Sequence, residues 1–272
     1  MWTLLSYAHG MRILITGAAR AIGAATADEL TRAGHHVIAT ARDAAKLQGL
    51  DVADRISLDV TDQHSIRSAL ERAGELDAIV NNAAVNGKGP LESFPLDMMR
   101  SMYETNTLGP LAMVQQVLPA WRIRGSGVVV NVSSVEGRVG APLDGPYCHT
   151  KFALEALSES LHLELGHFGI RVVVIEPGYI APGMKTGPCE AGDAAYADLW
   201  DQWDRSDDQL AGPEGRPGSD MVAVAIRRAI EDPATPLRVP VGDDAVLVLE
   251  ARAQMDDASF EAAMRQTVGL TW

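Results

Sequence analysis

The sequence predicts a doubly wound α/β domain, in which helices cover both faces of a parallel sheet. Short, continuously apolar segments alternate with helical stretches, and such segments are typical of strands buried on both faces. A glycine-containing turn at residues 17–23 joins the first strand to a helix. Asn and Ser follow later strands, at the edge where open α/β sheets bind their ligands.

The apolar runs and the turn residues between them assign the elements in order. Predicted strands cover residues 12–16, 37–40, 56–58, 78–80, 128–132, 171–175 and 238–241. Predicted helices cover residues 24–33, 62–73, 98–117, about 147–167 and 221–230, with two more within 245–268. Strands alternating with helices at this spacing indicate βαβ units.

Composition limits the classes of protein that this chain can belong to. The 272 residues are 47% apolar and 22% charged, which is typical of one globular domain. The net charge of -13 argues against nucleic acid or an anionic membrane surface as a partner. Two cysteines without metal-type spacing favour a reducing, cytoplasmic location and no metal site.

The first ten residues are interpreted as an N-terminal extension, and residues 11–272 as the domain. Met11 is then the alternative start of the folded part. The extension lacks the basic start and long apolar run of a signal peptide. No apolar run approaches the ~20 residues of a membrane span.

Tyr147 and Lys151 form the chemical centre of the predicted fold. Pro146 marks the start of a helix, and residues four apart share one helical face. A free tyrosine has a pKa near ~10 and is a poor base at neutral pH, whereas an adjacent lysine favours the phenolate. We therefore expect a lowered pKa at Tyr147 and proton transfer to or from a hydroxyl or carbonyl.

A Tyr-x-x-x-Lys pair alone is weak evidence, but it stands in an ordered series of motifs. The series is Thr16-Gly17-x-x-x-Ala21-x-Gly23, Asn81-Asn82-Ala83, Asn106-x-x-Gly109, Asn131-Val132-Ser133-Ser134, Tyr147-x-x-x-Lys151 and Pro177-Gly178. Over residues 12–180 it resembles the short-chain dehydrogenase/reductase family, which has a Rossmann-like fold. Residues 147–155 are most similar to hydroxysteroid and retinol dehydrogenases. Ala21 departs from the family, where a glycine is expected.

The resemblance implies a catalytic role for four residues. Tyr147 is the acid/base, and Lys151 lowers its pKa and binds the nicotinamide ribose. Ser134 holds the substrate oxygen, with Ser133 as the second choice. Asn106 kinks its helix and holds a water that links Lys151 to solvent.

The resemblance also implies a cofactor site formed by the ends of several strands. The glycine turn contributes Gly17, Arg20, Ala21, Ile22 and Gly23. Asp59 and Val60 contact the adenine, and Asn82 and Ala83 line the ribose side. The backbone at Pro177, Gly178 and Ile180 meets the nicotinamide carboxamide. The family's threonine after Pro-Gly is absent at Pro182, and Thr186 is the alternative.

Cofactor choice is predicted from the end of the second strand. NAD enzymes place an acid there to bind the ribose 2′-hydroxyl. Ala41 occupies this position, Arg42 follows it, and Arg20 lies in the glycine turn. Two guanidinium groups suit a 2′-phosphate, so NADP(H) is expected. Asp43 is one residue too late to be the usual acid, although a shift of register stays open.

Residues 181–220 are predicted to be a substrate loop rich in Gly, Pro and Asp. Four large side chains interrupt it: Tyr196, Leu199, Trp200 and Trp203. They form either the walls of a lid over a bulky apolar substrate or a permanent contact with the domain or a second subunit.

Several further residues carry weaker expectations. Glu136 either contacts substrate or pairs with Arg138. Cys148 is expected to be a small buried residue, and His149 to point away from the Tyr147–Lys151 face. Apolar residues on more than one side of the helix after Tyr147 suggest a homodimer or homotetramer.

Together these features predict an NADP(H)-dependent oxidoreductase that interconverts a secondary alcohol and a ketone or aldehyde. Its partner is a small molecule, expected to be bulky and apolar. Two alternatives keep the fold: a non-catalytic NADP(H)-binding redox sensor, and an epimerase or dehydratase.

Overall fold

Seven strands form one parallel sheet in the computed structural model, which describes residues 10–184, 194–210 and 215–272. The strand order is β3-β2-β1-β4-β5-β6-β7. The strands are β1 Arg12–Ile15, β2 His36–Ala41, β3 Asp54–Ser57, β4 Ala78–Asn81, β5 Gly127–Val132, β6 Ile170–Pro177 and β7 Arg238–Val241. The predicted doubly wound sheet is confirmed.

Helices cover both faces of this sheet. Those in the described ranges are α1 Ala21–Arg32, α2 Gln63–Ala73, α3 Leu96–Tyr103, α4 Gly109–Arg124, α5 Gly145–Leu165, α6 Ala197–Leu210, α7 Ser219–Glu231, α8 Asp243–Gln254 and α9 Asp257–Thr267. The apolar faces of α1 and α7 pack on one side of the sheet. Those of α2, α4 and α5 pack on the other.

The two-sided packing explains why the strands are apolar without alternation. In β1, Ile13 and Ile15 belong to the core under α1 and α7. Leu14, between them, belongs to the core under α2, α4 and α5. Successive side chains point to opposite faces, so both faces of a covered sheet require apolar residues.

The predicted helix at 98–117 is divided in two. A π-helical turn, Glu104–Leu108, separates α3 from α4 and contains Asn106. Single π turns inside helices occur mainly at functional sites. The sequence predicts a kink at Asn106, and the structure places the extra-wide turn around that residue.

The stretch predicted as a loop at 181–220 contains a helix, α6. Leu199 and Trp203, four residues apart, are buried against Leu143 and Val268. Asp198, Asp201 and Asp204 of the same helix are exposed. Trp203 also donates a hydrogen bond from Nε1 to Asp144 Oδ2 over 3.0 Å. The prediction of a loop was wrong here, because amphipathic spacing outweighs the polar composition. Trp203 therefore makes a permanent contact with the domain and is not part of a lid over the substrate.

Some predictions fall on residues that the structure does not describe. Thr186, the alternative for the family threonine, lies outside the described residues, as do residues 1–9 of the extension and Cys189. Within the described ranges, no helix combines the length and the apolar character that crossing a bilayer requires.

Candidate active site

A cleft of about 960 Å³ runs across the carboxyl ends of the strands. Its lining residues follow six consecutive strands in the chain, β1 to β6. The strand order reverses between β1 and β4, and such a switch point is where open α/β sheets bind ligands. The volume is at the upper end of the range of small-molecule and cofactor sites.

The first turns of α5 bring Tyr147 and Lys151 into this cleft. Tyr147 is 7% exposed and Lys151 only 2%. Lys151 Nζ donates a hydrogen bond to Val132 O, at the end of β5, over 2.7 Å. The same nitrogen lies 5.5 Å from the centroid of the Tyr147 ring. The ammonium therefore lies between the sheet edge and the phenol.

Ser134 and Ser133 both line the cleft but differ in their contacts. Ser134 precedes a short 3₁₀ turn, Val135–Gly137, and its Oγ accepts a hydrogen bond from Glu136 N over 3.1 Å. A hydrogen bond with Ser134 also acts to lower the pKa of Tyr147, so the two hydroxyls are neighbours. Ser133 Oγ is buried without a partner among the described residues. This geometry favours Ser134 as the partner of Tyr147.

The electrostatics of Tyr147 differ from the prediction. Burial raises the pKa of its phenol, and the negative charge of Glu136 raises it further. The expected lowering by Lys151 is therefore wrong in this structure, because desolvation of the phenolate dominates. At neutral pH, Tyr147 is a phenol that can donate a proton.

Lys151 is shifted in the opposite direction for the same reason. Burial lowers the pKa of its ammonium to about 8, and the charge of Glu155 acts against this shift. Desolvation disfavours the charged form of a lysine just as it disfavours phenolate. Lys151 is thus close to losing its charge in the mildly alkaline range.

Asn106 connects the segment after β4 to α5. Its Oδ1 accepts a hydrogen bond from Val85 N, and its Nδ2 donates to Val85 O, each over 2.8 Å. Nδ2 also donates to Thr150 Oγ1 over 3.0 Å, next to Lys151. The side chain is 1% exposed and is held on both amide atoms by these bonds.

The glycine turn requires residues without a side chain at two positions. Gly17 has φ of 67°, and a Cβ there would lie 2.8 Å from Ala83 Cα. A Cβ on Gly23 would lie 2.5 Å from Gly17 O. Ala21, where the family has glycine, adopts φ of 46°. An L-residue pays roughly 1–2 kcal/mol for this left-handed conformation.

Asn82 and Thr16 hold this turn in place. Asn82 Nδ2 donates hydrogen bonds to Thr16 O over 3.0 Å and to Gly17 O over 3.1 Å. The backbone N–H groups of Asn82 and Ala83 both point at Thr16 Oγ1, each over 3.0 Å. The sequence identified Asn82 and Ala83 but did not predict that Thr16 anchors them.

One end of the cleft carries a concentration of positive charge. Arg20 and Arg42 are exposed and line the cleft, and so does Lys46, which sequence reasoning missed. Ala41 is the last residue of β2. Asp43 Oδ1 accepts a hydrogen bond from Ala45 N over 3.0 Å, so this carboxylate caps a turn.

Asp59 and Val60 line the cleft beside this charged end. Burial acts to raise the pKa of Asp59, but hydrogen bonds from Thr61 and the charge of Arg42 outweigh it and keep the value lowered. Gly109 approaches Val60 so closely that a Cβ would lie 2.9 Å from its Cγ2. The glycine of the Asn106-x-x-Gly109 motif thus has a packing reason.

The opposite end of the cleft contains Pro177, Gly178 and Ile180. Gly178 N donates a hydrogen bond to Val241 O over 3.0 Å. Tyr179 N donates to Asp244 Oδ2 over 2.7 Å, and the same carboxylate fills the space where a Gly178 side chain would lie. No sequence signal pointed to Asp244, which is more than sixty residues away.

The structure also gives the positions of Cys148, His149 and Glu136. Cys148 is buried in α5, as expected. His149 stacks on Tyr103, with ring centroids 6.1 Å apart, away from the cleft. Glu136 lines the cleft, and Arg138 forms an ion pair with Glu176 over 3.2 Å.

The chemistry of this cleft fits a nicotinamide dinucleotide. Backbone approaches closely at Gly17 and Gly23, beside the first turn of α1, and a helix N-terminus favours phosphate. Arg20, Arg42 and Lys46 line the part of the cleft next to β2, and the Tyr147–Lys151 pair lines the part next to β5. Among the described residues, no group of three His, Cys, Asp or Glu side chains could hold a metal ion.

Comparison with known proteins assigns the family. Residues 11–190 match the family described as short chain dehydrogenase. The chain belongs to the short-chain dehydrogenase/reductase family. It is therefore an oxidoreductase that acts on CH–OH and C=O groups, and its family binds a nicotinamide cofactor.

Individual members of the family resemble either nearly the whole chain or a large part of it. A short-chain dehydrogenase from Streptomyces avermitilis is 33% identical, with a TM-score of 0.81, over 97% of this chain and 100% of that one. The uncharacterized oxidoreductase YusZ of Bacillus subtilis is 32% identical over 93% of this chain and 96% of its own. Retinol dehydrogenase 8 of Bos taurus is 36% identical over 61% of this chain and 58% of its own.

In this short-chain dehydrogenase/reductase, Ala21→Gly is predicted to stabilise the fold by up to about 1 kcal/mol, because glycine adopts positive φ without strain. Urea unfolding measures the effect. Ala25→Gly, in the regular part of α1, is the matched control and should destabilise by about 1 kcal/mol. If Ala21→Gly destabilises as much as Ala25→Gly, the turn is not strained.

Proposed function

We propose that this enzyme interconverts a secondary alcohol and a ketone, or an aldehyde, with NADP(H), and that Tyr147 transfers the proton. One observation carries the proposal. The buried phenol of Tyr147, the ammonium of Lys151 and the hydroxyl of Ser134 meet in one cleft at the strand ends.

In the proposed reduction, Tyr147 and Ser134 hold the carbonyl oxygen of the substrate. Burial and the charge of Glu136 keep Tyr147 protonated at neutral pH, so its phenol can donate the proton that the forming alkoxide needs. A bound nicotinamide supplies or accepts the hydride. The protonated phenol is the form that acts as the acid in ketone reduction.

Lys151 is proposed to act as a fixed cation beside this phenol. Its hydrogen bond to Val132 O places the ammonium where it can bind the ribose of the cofactor and stabilise phenolate once the proton has left. Asn106 is proposed to position the water that returns a proton through Lys151. The side chain, held by Val85 and Thr150, fixes the π turn beside Lys151 for this purpose.

The preference for NADP(H) is proposed from the charges at the end of β2. Arg20 and Arg42 line the cleft there together with Lys46, while Ala41 leaves no acid to bind a ribose hydroxyl. Asp43 is occupied as a turn cap, which argues against a shift of register.

The other cofactor contacts are proposed along the cleft between the two ends. The glycine turn, through Gly17, Ala21, Ile22 and Gly23, would hold the pyrophosphate on the N-terminus of α1. Asp59 and Val60 would contact adenine, and Asn82 and Ala83 the ribose side. Pro177, Gly178 and Ile180 would meet the carboxamide through backbone atoms.

The substrate is proposed to be a bulky, largely apolar ketone or secondary alcohol. The size of the cleft and the relative named retinol dehydrogenase 8 support this class. Tyr179, Ile180 and Met184 line the cleft and supply apolar surface there, whereas Trp203 is buried against the domain.

A cytoplasmic homodimer or homotetramer is the proposed form of the enzyme. On α5, Leu154, Leu161 and Leu165 are buried against the domain. Phe152 and Leu163 on the same helix are 44% and 76% exposed. An apolar helix surface of this kind is suited to a second subunit.

Tyr147→Phe tests the proposed chemistry. The variant should lower kcat for ketone reduction by at least about 10²-fold, because general acid catalysis contributes that much or more. NADPH affinity should stay close to that of the wild type, whereas Lys151→Ala should weaken both. NADPH oxidation with a panel of ketones measures the rate, and fluorescence titration measures binding.

Tyr103→Phe is the matched control, since Tyr103 stacks on His149 outside the cleft and should keep full activity. Retention of most of the rate by Tyr147→Phe would refute the mechanism. NADPH binding by the wild type without oxidation by any ketone would instead indicate the redox sensor.

Cofactor preference is tested by comparing dissociation constants at low salt. NADPH should bind about tenfold or more tightly than NADH, because a hydrogen bond to a charged group is worth about 1.5–3 kcal/mol. The ratio should shrink as salt rises, because exposed charges are screened. Ala41→Asp combined with Arg42→Ala should move the preference toward NADH.

Arg32→Ala is the control for loss of a positive charge. Arg32 lies in the same βαβ unit, is 71% exposed and pairs with Glu29, so its removal should leave the ratio unchanged. Equal affinities of the wild type for NADPH and NADH would contradict the assignment.

A further inference from the structure

A third buried ionisable residue lies behind the catalytic pair. Tyr147, Lys151 and Glu155 follow one another at intervals of four residues on α5 and so share one face. Glu155 is only 3% exposed. It also abuts the turn after Ser134, since a Cβ on Gly137 would lie 2.9 Å from Glu155 Cγ.

Glu155 is held from outside by an arginine of β7. Arg238 Nε donates to Glu155 Oε2 over 3.0 Å. Glu155 Oε1 is buried and has no hydrogen-bond partner among the described residues. A buried carboxylate is costly unless positive charge lies nearby, and Arg238 supplies that charge on one side of Glu155.

The surrounding cluster does not neutralise Glu155 completely. Arg238 also donates to Glu159 Oε2 over 2.6 Å, and its Nε lies 3.9 Å from Glu176 Oε1. Glu176 in turn pairs with Arg138 over 3.2 Å. When all are ionised, the three carboxylates of this cluster exceed the two guanidinium groups by one negative charge.

We propose that Glu155 is a positioning residue of the reaction: its carboxylate, fixed by Arg238, supplies the negative charge that keeps the buried Lys151 in its ammonium form. This inference rests on the role proposed above for Lys151. Lys151 makes its hydrogen bond to the neutral carbonyl of Val132 and no direct ion pair with a described residue. The charge of Glu155, one helical turn away, therefore acts through space.

The titration of the neighbouring groups is consistent with this role. Burial, followed by the charge of Glu155, raises the pKa of Glu176 to about 7. The cluster therefore gains its excess negative charge above neutrality, in the range where Lys151, with its pKa lowered to about 8, begins to lose its proton.

The other ionisable groups around Tyr147, Lys151 and Glu155 fall into two sets, one at the phenol and one at Glu155. Tyr147 faces Glu136, Asp144 and Cys148. The Glu155 side faces Arg138, Arg238, Glu159 and Glu176. Among the described residues, Glu155 is the charged group that acts on the pKa of Lys151.

The sign of the effect follows from these charges. Lys151 is active as the ammonium, so activity should fall as pH rises through about 8. Neutralising Glu155 removes the opposition to desolvation and lowers the pKa of Lys151 further. The alkaline limb of the kcat profile should then move to lower pH by about one unit, while the rate well below pH 7 changes little.

The test follows the titration of Lys151 directly. The protein is labelled with ¹³Cε-lysine, and the Lys151 resonance is assigned by its absence in Lys151→Met. In Glu155→Gln, this resonance should titrate at lower pH than in the wild type. In Glu155→Asp, which keeps the charge, the midpoint of the titration should lie close to that of the wild type.

Glu159→Gln is the matched control. Glu159 lies on the same helix and binds the same Arg238, but its side chain is 56% exposed. The Lys151 titration should be that of the wild type. An unchanged titration in Glu155→Gln, or an equal shift in Glu159→Gln, would overturn the proposal.

Arg238 keeps Glu159 and Glu176 as partners in Glu155→Gln, which favours folding of the variant. If it does not fold, Glu155→Met removes the same charge and gives the same comparison. The readout is independent of turnover. A shifted titration without ketone reduction in the wild type would refute the proposed function alone, and turnover with an unshifted titration would refute only the role of Glu155.

Discussion

The buried ammonium of Lys151 is the constraint on which the site depends. It occupies the space between the end of β5 and the first turns of α5, with Val132 O as its hydrogen-bond acceptor. A lysine in this position is tolerated only if its charge is supported, because desolvation favours the neutral amine. Glu155, held in place by Arg238, is the acid proposed to support that charge from one side, and the cleft lies on the other.

Side-chain hydrogen bonds connect the segments that follow neighbouring strands at this edge of the sheet. Thr16, after β1, accepts hydrogen bonds from the residues after β4, and Asn82 returns hydrogen bonds to the glycine turn. Asn106 joins the next segment to α5 through Thr150. Each loop is thus tied to its neighbour, so the cleft keeps its form although its residues come from distant parts of the chain.

Much of this arrangement could be predicted from sequence, because it depends on local spacing. Apolar runs define the strands, and the interval of four residues places Tyr147 and Lys151 on one face of α5. The helical segment α6 was missed because its acids resemble those of a loop, whereas Leu199 and Trp203 at helical spacing bury its inner face.

Other properties depend on burial and on contacts between distant residues, which no local pattern contains. The pKa of Tyr147 is raised because the phenol is desolvated beside Glu136, and this outweighs the expected effect of Lys151. Asp244 binds Tyr179 N across more than sixty residues, and Arg238 binds Glu155 across more than eighty. Such contacts require the three-dimensional fold.

The most direct test of this account is a crystal structure of the wild-type enzyme with NADP⁺ and a ketone that it reduces, since this pair cannot react. The account predicts that the ketone oxygen lies within hydrogen-bond distance, about 3 Å, of both Tyr147 Oη and Ser134 Oγ. It also predicts that Lys151 Nζ contacts the nicotinamide ribose. A carbonyl oxygen bound away from Tyr147, or a nicotinamide ring outside the cleft at the strand ends, would contradict it.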